Sequence, residues 1–272
     1  MINLLKQSPL SARIGIGIIL INVLIAVLAP VIAPYGETKI VGEVWEAFSS
    51  KYYLGTDHIG RDLFTRMVYG ARNTIALAFL ITILSFLFGS LFGFLSAVKG
   101  KWVDQVLSRF VDIIMSFPTL IFALMILSVL GSSIPVLVFT IALLDSTRVY
   151  RLSRAVAMDV VVMEFVEAAR LRGEGTWWIM RQEILPNAMP PLVAEFGLRF
   201  CFVFLFIASL SFLGLGIQPP SADWGGMVRE NAGAITFGIY TPLIPAAAIA
   251  FLTVGVNLVV DWFLHLSSGL HE

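Results

Sequence analysis

The chain has 272 residues, of which 58% are hydrophobic and 13% charged, and its mean hydropathy is +0.90. An ordinary soluble domain carries about 25% charged residues, so this composition belongs to an integral membrane protein. Lys+Arg 18 against Asp+Glu 18 gives zero formal charge, which leaves no basic surface for nucleic acid and excludes that class.

A single cysteine, Cys201, cannot form an intramolecular disulfide, and His58, His265 and His271 lack metal-ligand spacing. No metal site is expected.

In chain order, four apolar runs reach the about 20 residues needed to cross about 30 Å of hydrocarbon: 14–33, 75–98, 113–130 and 196–217. Two more are less clean. Residues 134–144 are too short unless they continue through Asp145 to Tyr150, and 242–264 carry Asn257 and Asp261. The total is six spans. The first resembles a signal peptide with processing after Ala33, but its apolar stretch is long and Pro34 would follow the cut, so a retained anchor is expected.

Lys6 and Arg13 precede the first span and place the N-terminus in the cytoplasm. Alternation then puts the segments 99–109 and 145–191 inside, both rich in Lys and Arg. One segment is discordant. Residues 34–73 fall outside yet contain Lys39, Lys51, Arg61, Arg66 and Arg72, balanced in number by five acids.

Between Arg151 and Asn187 the chain becomes mixed in charge. Residues 155–172 lack Gly and Pro and are expected to be helical. Gly173 and Gly175 interrupt, residues 176–185 form a second short helix, and Pro186 ends it. Glu167-Ala168-Ala169 sets two minimal side chains beside a carboxylate, so another protein's surface can approach the helix closely, and Gly173 suits a left-handed helix terminus. On spacing alone the same helix, turn, helix also reads as a solvated cytoplasmic hairpin.

The residues go beyond spacing. Glu167-Ala168-Ala169, three residues, Gly173, nine residues and then Glu183-Ile184-Leu185-Pro186 resembles the EAA loop of permease subunits in binding-protein-dependent ABC importers. Two further stretches narrow the resemblance. Residues 54–62, continuing through Arg66 and Gly70-Ala71-Arg72, are similar to the segment before the second span in the C-type permeases of the dipeptide, oligopeptide and nickel importers. Residues 209–220, followed by Trp224-Gly225, are similar to that subfamily's signature at the outer end of the fifth span. Departures fall at Glu183, Arg172, Glu174-Gly175, Ile207 (where a glutamate is common) and Val260, and the tail 265–272 lacks the usual basic residues.

The resemblance implies an all-α integral membrane protein with one N-terminal anchor (1–33), an extracytoplasmic segment (34–74) and a five-span permease core (75–272). A cytoplasmic coupling loop would occupy 151–187, with Glu167, Ala168, Ala169, Gly173, Leu185 and Pro186 contacting an ATPase. It also implies a heterodimeric partnership with a homologous permease, two ATP-binding subunits that use ATP and Mg, and an extracytoplasmic substrate-binding protein. The location would be the bacterial inner membrane. The solute would be a peptide or a related small molecule, with no catalytic residue and no cofactor in this chain.

Apart from the resemblance, the motifs read structurally. Gly-Thr-Asp and Gly-Arg-Asp at 55–57 and 60–62 form turns bonded by their own side chains, with Arg61 and Arg66 at headgroup level. Gly214 and Gly216 permit close helix approach or an unwound helix end. Among ionisable residues in the spans, Glu195 and Arg199 lie four apart and neutralise each other, and Asp145 has Arg148 within one turn. Asp145, Glu195 and Arg199 are the weak substrate-binding candidates. Asn257 and Asp261 are expected to bond between helices. A stand-alone ion-coupled secondary transporter is the alternative, but the sequence lacks a convincing repeat and would leave the 151–186 hairpin without a role.

Overall fold

The computed structural model describes residues 8–267, so Lys6, His271 and most of the tail 265–272 lie outside the described residues. The described chain is helical, with strand pairing limited to two isolated bridges, Ile40 with Arg61 and Thr56 with Asp62.

Helix α1 spans Leu10–Val27 and is followed by the short α2, Ala29–Ile32. Residues 34–62 form an irregular segment, and α3 then runs for 37 residues, Leu63–Lys99. Asp62 caps α3 by accepting from the Thr65 N–H at 2.7 Å. The α4 helix, Lys101–Met115, meets α5, Thr119–Leu130, at a bend of 86°. Next come α6, Ile134–Val161, and α7, Glu164–Leu171. The short α8, Thr176–Trp178, passes through a π turn, Ile179–Ile184, into α9, Leu185–Phe212. Helix α10, Trp224–Asn231, a 3-10 turn, Ala232–Phe237, and α11, Leu243–Ser267, complete the described chain.

Among the described residues, four helical stretches are long and apolar enough to cross a membrane: Leu10–Val27, Leu63–Lys99, Thr176–Phe212 and Leu243–His265. The bent α4–α5 pair makes up to five. The expected straight span at 113–130 is therefore corrected. Pro118 disfavours helical backbone at Phe117 and stops α4, and α5 alone, with 12 residues, is about 18 Å long. The expected fourth span, 134–144, is the first part of α6, whose 28 residues reach about 42 Å but carry Asp145, Arg148, Arg151 and Arg154.

Residues 99–109, expected as a loop, are mostly helical. Two acids of α4 pair with α6: Arg154 Nη2 meets Asp104 Oδ2 at 2.6 Å, and Arg151 Nη2 meets Asp112 Oδ1 at 2.7 Å. Paired charges on one helical face read in sequence as solvated loop.

Helix α3 packs along α6, where Gly89 and Gly93 bring the backbones together. A Cβ on Gly89 would lie 2.6 Å from Val149 Cβ, and one on Gly93 would lie 2.8 Å from Ser153 Cβ. Helix α1 packs on α11, and α9 lies against α3, α6 and α11.

Two apolar cores result. The larger joins α3, α5, α6, α9, α10 and α11 around Ile81, Leu127, Ile141, Phe204 and Leu210. The smaller gathers Phe94, Ala157, Val166, Ala169, Ile184 and Leu192 where α3, α6, α7 and α9 converge. This second core fixes the hairpin to the helices.

Candidate coupling site

Residues 155–172 do not form the one helix expected. Helix α6 ends at Val161, and Met163 takes an extended conformation (φ −74, ψ 146) before α7 begins. The redirection lets Val166 and Ala169, both 0% exposed, join the smaller core. Burying two apolar side chains outweighs continuing the helix through Val162, which is left 81% exposed.

The opposite face of α7 carries Glu167, Ala168 and Leu171, all exposed, with Leu171 at 84%. Of the expected pair of docking alanines, Ala168 lies on this exposed face and Ala169 is buried. Successive helical residues point about 100° apart, so Ala168 faces outward while Ala169 packs inward.

Gly173 ends α7 in the left-handed region at φ +83. Its N–H donates to Arg170 O at 2.9 Å and the Glu174 N–H donates to Ala169 O at 3.1 Å, the two crossed bonds of a Schellman terminus. A Cβ here would meet nothing within 4 Å, so conformation rather than space selects glycine. The Arg172 guanidinium lies 5.7 Å from the Trp178 ring centroid and closes the turn.

Pro186 does not end the second helix, which runs unbroken from Thr176 to Phe212. The π turn before it sends the Leu185 N–H back five residues to Met180 O and shifts the bonding register. Pro186 then sits in the first turn of α9, where its missing N–H is tolerated. Leu185 and Pro186 are exposed, beside the buried Ile184 and Ala188. At its far end α9 stops at Phe212, short of the expected 217, because Gly214 turns left-handed at φ +91.

Of the polar residues in the spans, Glu195 and Arg199 pair as expected, with Arg199 Nε 2.7 Å from Glu195 Oε1. Asp145 does not take Arg148. Arg199 from α9 reaches it across helices, Nη1 to Oδ1 at 3.5 Å. Arg148 instead lies over the Phe202 ring at 4.9 Å. Asn257 is half-buried and Asp261 exposed, and neither makes the expected interhelical side-chain bond among the described residues.

A second constellation lies around the irregular segment. Arg61 and Arg66, expected at headgroup level, are buried, with side chains 5% and 1% exposed. Arg61 Nε meets Asp57 Oδ2 at 2.7 Å, and both arginines reach Glu230 Oε2 on α10 at 2.9 Å. The turn expectation holds, since Asp57 Oδ1 accepts from the Ile59 and Arg61 N–H groups at 3.0 and 2.9 Å. The Asn231 side chain adds to the tie by accepting from the His58 N–H at 3.0 Å and from Trp45 Nε1 at 3.3 Å.

Asp57, His58 and Glu230 bring ligand-type atoms within 4.8 Å of one another. Two guanidinium groups already neutralise both carboxylates there, and they would repel a metal ion. The i, i+4 spacing of Asp57 and Arg61 was available in sequence, but Glu230, about 170 residues away, carried no local signal.

Residues 89–268 match the family model described as "Binding-protein-dependent transport system inner membrane component". The chain is 34% identical over 259 residues to the dipeptide transport system permease protein DppC of Alkalihalophilus pseudofirmus, covering 94% of this chain and 84% of that protein. It is 33% identical to DppC of Haemophilus influenzae, covering 92% and 87%. Among solved structures, the crystal structure of an amino acid ABC transporter with histidines matches with a TM-score of 0.55 at 22% identity, over 74% of this chain and 93% of that one. That likeness shows the fold.

The match covers the core helices α4 to α11 and the hairpin between α6 and α9. Together with the C-type motifs at 54–62 and 209–220, it makes the chain a transport subunit rather than an enzyme. It belongs to the binding-protein-dependent transport system inner membrane components, as a multi-pass permease subunit of an ABC importer.

Proposed function

We propose that this chain forms half of the translocation pathway of a peptide importer and that α7 couples it to ATP hydrolysis in separate subunits. The named relatives carry dipeptides, and this chain is assigned a peptide or a closely related small solute. Its partners are a homologous second permease, two ATP-binding subunits that bind ATP and Mg, and an extracytoplasmic binding protein. The N-terminus is cytoplasmic, and α6 supplies the sixth crossing. Residues 1–33 are the anchor, 34–74 lie outside together with the first turns of α3, and 75–272 form the core with its coupling loop at 151–187.

The observation that carries the coupling role is the two-sidedness of α7. Val166 and Ala169 lock one face to α3, α6 and α9, while Glu167, Ala168 and the 84% exposed Leu171 are left for a partner. Gly173 sets where that face ends, and Leu185 and Pro186 lie at the start of the long helix that carries the motion onward. A helix anchored in this way transmits only the free-energy difference that the partner's nucleotide states impose on it, so its role is mechanical.

Glu167→Lys tests this directly, because the side chain is exposed and makes no internal ion pair among the described residues. The variant is expected to insert in the membrane at the normal level while recovery of ATP-binding subunits with the detergent-purified chain drops at least about tenfold, as charge reversal at an interface does. Recovery at the wild-type level would remove α7 from the interface.

A further inference from the structure

Helices α6 and α9 carry a cluster of charge at matching depth. From the start of α6 at Ile134 to Arg148, and from the end of α9 at Phe212 back to Arg199, the distance is about 20 Å in each case, within the thickness of the hydrocarbon layer. The two guanidinium groups flank one ring, with Arg148 4.9 Å and Arg199 5.3 Å from the Phe202 centroid. Their electrostatic situations differ. Arg199 is held between Glu195 and the buried Asp145, its side chain 15% exposed. Arg148 is exposed and has no carboxylate oxygen within 4 Å among the described residues.

An exposed arginine at this depth cannot face lipid without a heavy penalty, so the side of the bundle bearing Arg148 and Phe202 is turned to an aqueous path or to protein. Its chemistry is a cation with five donors, pre-oriented on an aromatic face, beside a second arginine whose charge is already matched. Such a group binds a carboxylate. We infer that Arg148, braced on Phe202, receives the carboxylate of the carried peptide as it passes between the two permease subunits. Asp145 and Glu195 hold Arg199 between them and balance the two arginines in number, so Arg148 is the one cation of the cluster left without a close carboxylate among the described residues, and no excess positive charge retains the anion once it has bound. The inference rests on the peptide reading above and deepens it to a residue.

The test uses the complete transporter, reconstituted in vesicles with its binding protein in saturating amount, and reads ATP-driven uptake of alanyl-alanine. Arg148→Gln is expected to lower uptake about tenfold, the loss of one charge-assisted contact, while Arg148→Lys retains at least about a third of it. The second permease and the ATP-binding subunits are expected to co-purify with both variants in wild-type proportion. Unchanged uptake in Arg148→Gln would overturn the assignment, as would an equal loss in Arg148→Lys. Disappearance of the second permease from the purified Arg148→Gln complex would also overturn it, and would make Arg148 an ion pair between subunits. Failure of the wild-type transporter to move alanyl-alanine is a separate result: it rejects the peptide reading, and the inference with it.

Discussion

Replacing Gly173 by Val is expected to weaken association with the ATP-binding subunits about ten- to thirtyfold and to lower transport in proportion, with membrane insertion unchanged. The residue sits at φ +83 with open space where a Cβ would go, so no clash with the rest of the chain is involved. The left-handed conformation costs an L-residue about 1–2 kcal/mol, and a β-branched side chain makes it worse. Helix α7 has eight residues and would be marginal alone. It holds because Val166 and Ala169 are buried and because Gly173 and Glu174 close the carbonyls of Arg170 and Ala169. Losing the left-handed terminus frees the last turn, which carries Ala168 and Leu171. Gly173→Asn is the informative control, since asparagine tolerates this region. It is expected to keep most of the association, measured as the ratio of ATP-binding subunit to permease after purification. Equal loss in both variants would show that the partner touches the glycine itself.

The second large effect is expected at Arg66. Its side chain is 1% exposed and bridges Asp57 at 3.3 Å and Glu230 at 2.9 Å. Arg66→Met keeps the stem but leaves the buried Asp57 and the partly buried Glu230 sharing Arg61, and removal of one partner from a buried ion group costs about 3–5 kcal/mol. Glu230→Gln produces the opposite imbalance, two guanidiniums facing Asp57. The double variant restores neutrality through Asp57 and Arg61, so it is expected to be more stable than the sum of the two losses by about 1–3 kcal/mol. Thermal unfolding of the detergent-purified protein measures this, and simple additivity would contradict a cooperative cluster. Because the cluster ties the 34–62 segment to α10, the single variants are also expected to disturb the face of the protein to which that segment belongs.

Much of this architecture is legible in the residues, and the gaps have physical causes. Apolar runs locate the membrane helices because lipid leaves the backbone no other partner. They do not locate the helix ends. Helix α3 begins at Leu63 rather than near 75, since its first turns mix apolar residues with polar ones satisfied by tertiary bonds, such as Thr74 Oγ1 donating to Asp223 Oδ1 at 2.9 Å. Pro186 reads as a stop, yet a π turn absorbs it. Of the five Lys and Arg at 34–73 that read as discordant with the expected orientation, Arg61 and Arg66 are not loop charges, because they are buried against Asp57 and Glu230.

At the candidate site, the glycine terminus and the exposed Glu167 were readable from spacing. The inward turn of Ala169 depends on the kink at Met163, for which no Gly or Pro gives a cue. The cross-helix contact of Asp145 with Arg199 joins residues 54 apart, beyond the reach of any local pattern.

The coupling role of α7 is tested most directly by its two alanines. The natural chain holds one cysteine, Cys201, which is buried, so a cysteine placed in α7 is the accessible one. Ala168→Cys and Ala169→Cys, each in the assembled transporter, are treated with a short thiol-to-amine cross-linker. The expected result is an ATP-dependent cross-link to an ATP-binding subunit from position 168 and none from position 169, whose side chain points into the core. Absence of a cross-link from position 168, with the ATP-binding subunits present in the complex, would contradict docking through this face of the helix.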